Sequence, residues 1–260
     1  MQTTRLELVE ASHEGRADLG TGISAAILRQ VARGELPPTM RLHRTGRILA
    51  FGRRDRLSSG YPEAVAIARR LGYEPIERMA GGRAAVFHAD TLAFSIASPT
   101  EGFASGTRER FAAMAELVRD ALVEVGVDAR IGEVPGEYCP GEWSVNASGQ
   151  SKLAGIGQRA ISGGAHVGGV VVVAGAERVR EALVPIYEAL ELDWDPATAG
   201  SVADSLDHPE GEHGFDSLIE RVVAALVERA ERDYEIERVE IGASTLELAE
   251  ELRARHASPG

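Results

Sequence analysis

Residues 151–159 read Ser-Lys-Leu-Ala-Gly-Ile-Gly-Gln-Arg, and upstream of them residues 136–146 read Gly-Glu-Tyr-Cys-Pro-Gly-Glu-Trp-Ser-Val-Asn. The first stretch has the small and apolar residues of a strand over Lys152–Gln158; the second carries the Gly and Pro of a loop over Gly132–Glu142 and runs into a short strand near Trp143–Asn146. Between them they hold the chain's only cysteine, Cys139, and its only lysine, Lys152, thirteen residues apart. The other 27 of the 28 basic residues are arginine. A guanidinium is a broad fork that stays charged, whereas an ammonium is a compact point charge. A site that must aim one small cation at a carbonyl or phosphate oxygen therefore has a reason to require lysine; a lone surviving surface lysine is the alternative. A cysteine in a loop is reachable, and its nucleophile is the thiolate, which a nearby cation favours. The alternative there is a buried, inert cysteine that fills space.

Working outward from this stretch, the downstream sequence predicts an apolar strand over His166–Val173 and a helix over Glu177–Leu190. Upstream, the clearest helix spans Thr107–Val125, where Phe111, Met114, Val118, Ala121, Leu122 and Val125 recur at helical spacing as core residues and Gly126 follows. A helix over Thr21–Gly34, short strands over Thr39–His43 and Ile48–Gly52, a helix over Pro62–Leu71 and strands over Ala84–Phe87 and Leu92–Ile96 precede it. Residues 193–214 are polar and rich in Asp, Pro, Gly and His, and read as a linker. Beyond them come a helix over Phe215–Arg232, a strand over Ile236–Ile241 and a helix over Thr245–His256. Helices interleaved with paired strands imply an α+β fold with a mixed, mainly antiparallel central sheet flanked by helices. The division expected is a catalytic domain over 1–192, a linker over 193–214 and a small C-terminal α/β appendage over 215–260.

A second glycine-bearing segment, Arg78-Met-Ala-Gly-Gly-Arg83-Ala-Ala-Val-Phe-His88, runs from a loop into a strand. Adjacent glycines let main chain approach a ligand and present N–H groups to an anion or an acyl carbonyl. The spacing is neither that of a P-loop nor that of a Rossmann fingerprint.

Composition narrows the classes of partner. A net charge of -12 opposes non-specific binding to nucleic acid. Arg41, Arg44, Arg47, Arg53, Arg54 and Arg56 nevertheless fall within sixteen residues whose only acid is Asp55, either a basic patch for an acidic partner protein or a pair of solvated strand faces. There is no run of about 18 apolar residues and no basic, then apolar, N-terminal segment, so neither a membrane span nor export is expected. One cysteine cannot form an internal disulfide, which fits a reducing, cytoplasmic setting. No metal site is expected.

At its two motifs the chain resembles the biotin/lipoate protein ligase superfamily, in its octanoyltransferase and lipoate-protein ligase branch. Residues 78–88 look like that family's Arg-x-x-Gly-Gly-x-Ala-Val-x-His lipoyl-binding loop, and residues 152–159 like its Lys-x-x-Gly-x-Gln-Arg strand, with His166 and Gly168 near its His-Gly pair. The similarity spans about residues 20–190. Two features depart from it: Ala80 stands where Ser or Thr is usual, and the cysteine-to-lysine spacing is about one residue long. The resemblance implies that Lys152 contacts the acyl carbonyl and that Gly81 and Gly82 wall an acyl tunnel. It places Arg78 and His88 near the mouth of that tunnel, and Arg83, Gly155, Gln158, His166 and Gly168 about the acyl group. Leu153 and Ile156 would line its aliphatic tail.

Cys139-Pro-Gly resembles the cysteine loop of the branch that holds its acyl group as a thioester. The reaction implied is transfer of an octanoyl or lipoyl group from a carrier, either acyl carrier protein or a glycine-cleavage H-type carrier, through Cys139 to a lysine of a lipoyl domain. No cofactor is then required. The rival is a lipoate-protein ligase, which would use ATP and Mg and hold an adenylate on Lys152. A rival of another class is a non-catalytic carrier-binding protein. Biotin ligation is disfavoured because Gly52–Arg56 lacks a Gly-Arg-Gly-Arg pattern.

Overall fold

The structure is a computed structural model and describes residues 4–12, 16–102, 105–206 and 214–258. In chain order the first half forms β1 (Thr4–Val9), α1 (Ala17–Ala32), β2 (Thr39–Arg44), β3 (Ile48–Phe51), α2 (Arg53–Arg56), α3 (Tyr61–Arg70), β4 (Glu74–Glu77), β5 (Ala85–Phe87) and β6 (Thr91–Pro99). The second half forms α4 (Thr107–Val125), β7 (Ala129–Ile131), β8 (Val145–Ala147), β9 (Ser151–Ile161), β10 (Gly164–Val172), α5 (Ala176–Ala189), α6 (Gly214–Glu231), β11 (Tyr234–Arg238) and α7 (Ala243–Arg253). Eight strands make one sheet in the order β11-β1-β2-β6-β10-β9-β8-β7, and a second sheet has the order β4-β3-β5. Only β1 with its two neighbours and β3 with β4 run parallel, so the sheet is mixed and mainly antiparallel, as the sequence implies.

Strand periodicity sorts the two faces of the large sheet. Met40, Leu42, Leu92, Phe94 and Ile96 join the core under α4 and α6. Their alternates face α1: Arg41, His43, Ala93, Ser95 and Ala97, most of them small or polar. Arg41, expected in a surface patch, is one of the most buried side chains, and it ties β2 to α1 through Gly20 O at 2.7 Å and Ser24 Oγ at 3.0 Å. Burial lowers its pKa to about 9. Arg44 pairs with Asp216 and Arg47 lies over the Tyr73 ring, so the six arginines do not share a surface.

The long helices and central strands lie where periodicity predicts them, with ends displaced by a few residues; α1 starts four residues earlier than expected. The short strands β1, β4 and β7 have no counterpart in the sequence reading. Residues 196–206, inside the expected linker, carry two short 3-10 turns with Thr198, Ala199, Ser201 and Val202 buried; residues 207–213 lie outside the described residues. The C-terminal segment supplies helix, strand and helix and is built into the body: β11 pairs with β1, Leu218, Val222 and Leu226 of α6 enter the main core, and Ala249 and Leu252 of α7 pack on α1. No described helix is long and apolar enough to cross a membrane.

Candidate active site

The residues of the two motifs meet beside β9 and β10. Lys152 sits on β9 with its side chain 1% exposed. Its Nζ donates to Glu137 Oε1 at 3.0 Å, Tyr138 O at 3.0 Å and Cys139 O at 2.8 Å, and lies 4.9 Å from the centre of the Tyr138 ring. An ammonium has three N–H donors, so all three are engaged with the cysteine loop. Glu137 is the hub of that loop: its buried carboxylate also accepts from Val134 N, Gly141 N and Ser144 Oγ.

Cys139 is held at each of its polar groups. Its N–H donates to Tyr187 Oη at 2.8 Å, and Tyr187 in turn donates to Ala84 O at 3.1 Å. Burial first, and then the neighbouring Cys139, push the Tyr187 hydroxyl well above the usual tyrosine range, so it stays an O–H. Cys139 Sγ accepts the Arg83 N–H at 3.1 Å and lies 3.9 Å from Arg78 Nη1. The residue has φ +44°, a left-handed conformation uncommon for a side-chain-bearing residue and usually imposed by its surroundings.

The glycine loop is shaped to this sulfur. Gly82 has φ +113°, and a Cβ there would stand 2.9 Å from Cys139 Sγ and 3.0 Å from Arg78 Nη1. At Gly81 a Cβ meets nothing within 4 Å, so of the pair only Gly82 is fixed by contact. Arg78 Nη1 donates to Arg83 O, and the Arg83 side chain reaches the wholly buried Asp55 at 3.2 Å. Burial raises the Asp55 pKa although Gly52 N–H and Arg83 both oppose it.

Two cavities adjoin one another here, and the sulfur lines the first. Cys139, Lys152, Gly81, Gly82, Arg78, Gly155, Ile156 and Gln158 line the first, whose apolar walls include Phe111, Trp143 and Val170. Phe111, expected as core, instead stacks on Trp143 with ring centres 6.4 Å apart. The second cavity lies beneath α1, where Ser24, Ser95, His166 and Gly168 face it; it shares Arg78, Phe87 and Gly169 with the first. Burial, and then Arg41, lower the His166 pKa to about 4, so its imidazole is neutral.

Two expected site residues lie elsewhere. Leu153 is wholly buried in the main core, because strand alternation sends it to the face opposite Lys152. His88 lines neither cavity: it is buried, accepts Asp90 N–H on Nδ1 and packs against Gly175. Sequence reasoning missed Glu137, Tyr187, Asp55, Trp143 and the cavity role of Phe111. Glu137 carried a usable signal, an acid two residues before the lone cysteine.

Residues 21–229 match the family described as the lipoyl protein ligase A/B catalytic domain. Among curated relatives, the octanoyl-[GcvH]:protein N-octanoyltransferase of Geobacillus kaustophilus is 27% identical over 187 residues, covering 71% of this chain and 66% of that one. The enzyme of the same name from Exiguobacterium sibiricum is 31% identical over 157 residues, covering 56% and 57%. The match thus spans less than two thirds of the length of each of these relatives. In structure, the chain is similar to lipoate-protein ligase A bound with ATP (TM-score 0.75, 18% identity, 96% of this chain and 95% of that one). It is also similar to the bipartite lipoate protein ligase of Thermoplasma acidophilum (TM-score 0.69, 18% identity, 98% and 93%). At these identities the structural likeness is one of fold.

Proposed function

The chain belongs to the lipoyl protein ligase A/B catalytic domain family, and from that premise we propose that it is an octanoyltransferase working through a Cys139 thioester. The donor is an octanoyl group on the lysine of an H-type carrier, as in the names of the relatives, and the acceptor is a lysine of a lipoyl domain. Cys139 Sγ attacks the acyl carbonyl; the C–S bond forms, the C–N bond to the carrier lysine breaks, and the leaving amine takes the thiol proton. The acceptor amine then reverses these steps on its own lysine. One amide replaces another, so the overall transfer needs no nucleotide.

The observation that carries this reading is Cys139 Sγ held by the Arg83 N–H at the mouth of an apolar cavity. As sulfur is acylated, that amide is the nearest donor for the carbonyl oxygen, the oxyanion role that backbone N–H groups fill. Phe111, Trp143, Ile156 and Val170 offer apolar cover to the aliphatic tail, at about 0.8 kcal/mol per buried methylene. Lys152 serves here as a positioning residue: to orient the acyl carbonyl itself, it must first release one of its three loop acceptors. The same saturation weighs against the ligase reading, in which Lys152 holds an adenylate, and a shaped nucleophile weighs against a non-catalytic carrier binder.

The test is intact mass spectrometry after incubation with octanoylated H-type carrier in the absence of ATP. A mass gain of one octanoyl unit that disappears in Cys139→Ser is expected. Acylation that demands ATP and tolerates Cys139→Ser would refute the thioester.

A further inference from the structure

Surface arginines of this acidic chain are mostly ion-paired: Arg70 with Glu63, Arg108 with Glu142, Arg232 with Glu124 and Arg238 with Glu10. The side chains of Arg29, Arg53, Arg159 and Arg255 differ. Among the described residues none of them has a hydrogen-bond or ion-pair partner, and all four line one cleft. Arg56 and Arg78 line it too, and its one acid among the described residues, Glu77, is already bound to Arg56 at 3.0 Å. Four elements contribute: α1 brings Arg29, α2 brings Arg53 and Arg56, β9 brings Arg159, and the segment after α7 brings Arg255. The last is fixed by Glu77 N–H on His256 O at 2.8 Å. Burial, and then the like charges of Arg255, Arg33 and Arg159, lower the pKa of Arg29. Concentrating unpaired cations in a chain of net charge -12 is unfavourable for the chain alone and is relieved by an anionic partner.

Position and shape say which anion. The cleft abuts the catalytic cavity, since Arg78, Gly81 and Gln158 line both. Arg53, Arg159 and Arg255 are exposed and spread over separate elements, whereas a site for a single phosphate needs donors that converge on one point. We propose that this cleft docks a carboxylate-rich face of the carrier protein, flanking the lysine that is brought to Cys139. The proposal rests on the acyl-transfer reading for the identity of the carrier, and it gives the C-terminal segment a part in recognition.

The test compares the wild type with the triple variant Arg53→Glu/Arg159→Glu/Arg255→Glu, and uses Arg232→Glu, in the turn after α6, as a distant charge-reversal control. Binding of octanoylated H-type carrier is measured in a Cys139→Ser background at low and high salt. Acylation of Cys139 by octanoyl-N-acetylcysteamine, a small neutral thioester, is measured separately in proteins that retain Cys139. The triple variant is expected to bind carrier at least about tenfold more weakly, with a flattened salt dependence, while the control does not. Acylation by the neutral thioester should stay within about twofold, because no replaced residue touches the sulfur or its cavity. Unchanged carrier binding would overturn the docking surface. So would an equal fall with the neutral thioester, or inorganic phosphate occupying the wild-type cleft at millimolar concentration while carrier binding ignores the charge reversal. If carrier binding is lost in the triple variant but Cys139 is acylated by neither donor in the otherwise unaltered protein, the docking surface stands and the thioester reading fails.

Discussion

Removing the Glu137 carboxylate should unlock the cysteine loop, and the size of the effect follows from what it holds. Glu137 and Lys152 form an ion pair at 3.0 Å with side chains 0% and 1% exposed. Deleting one partner of such a pair costs about 3–5 kcal/mol, because the other charge stays buried without compensation. Glu137→Ala also orphans the amides of Val134 and Gly141 and the Ser144 hydroxyl, each about 1–3 kcal/mol if water cannot reach it. These costs overlap, so about 3 kcal/mol is the floor expected from urea unfolding, or roughly 6–12 °C in Tm for a chain of this size. A double-mutant cycle isolates the pair. Glu137→Gln and Lys152→Met each strand a charge, but together they remove both, so the double variant should recover about 2 kcal/mol relative to the sum of the single losses. Single-turnover acylation of Cys139 at a temperature where Glu137→Ala remains folded should be slowed by more than about tenfold, since the loop carrying Cys139 loses the carboxylate that ties Val134, Gly141, Ser144 and Lys152 together. Additive single losses, or a Glu137→Ala protein within about 1 kcal/mol of wild type and equally fast, would refute the hub.

Gly82→Ala places a methyl 2.9 Å from Cys139 Sγ at φ +113°; it should cost about 1–3 kcal/mol of stability and abolish the octanoyl adduct seen by intact mass spectrometry. Octanoyl and hexanoyl donors differ by two methylenes, about 1.6 kcal/mol or roughly fifteenfold in kcat/KM if both are buried. Trp143→Ala, which uncovers the cavity beside Phe111, should reduce that preference below about fivefold; an unchanged ratio would place the tail elsewhere. The folded pKa of His166, about 4, lies below that of a free imidazole, so the unfolded chain takes up its proton first. The stability this residue contributes is complete above about pH 6.5 and is lost as pH falls toward about 4, by about 3 kcal/mol in all. Urea midpoints at several pH values should therefore flatten across that window in His166→Gln.

Much of the candidate site was legible because the chemistry proposed for it rests on singletons. Cys139 and Lys152 stand out from an arginine-rich background without any structure, and the paired glycines before Arg83 mark a close backbone approach. Strand alternation also held information that a motif-based reading passes over: it alone puts Leu153 opposite Lys152 and turns Arg41 toward α1 between two core residues. What the sequence hides is contact made at long range. Tyr187 meets Cys139 from forty-eight residues away on a helix whose periodicity speaks only of packing. Asp55 reads as the lone acid of a basic surface stretch, yet it is fully buried beneath Arg83. Strands as short as β4 and β7 become strands through partners that no local pattern announces.

On the proposed thioester route, the three anchors on Cys139 constrain how the second half of the reaction would proceed. Its N–H is held from α5, its carbonyl from β9 and its sulfur from the glycine loop, so the left-handed backbone is imposed from three sides and survives the loss of any bond made by sulfur. Acylation disturbs the contacts of Sγ with the Arg83 N–H and with Arg78 Nη1, and frees the Arg83 donor where the new carbonyl oxygen arrives. With Gly82 against one side of the sulfur and the apolar cavity taking the chain, the acceptor amine must enter over the rim formed by Arg78, Gly81 and Gln158. That rim borders the arginine cleft. Donor and acceptor proteins would then use one landing surface in turn, so free lipoyl domain should inhibit Cys139 acylation by octanoylated carrier competitively. Acylation by the small neutral thioester in the presence of the same domain distinguishes a shared landing surface from a blocked sulfur. Non-competitive inhibition, with both proteins bound at once, would show that the two carriers approach by separate routes.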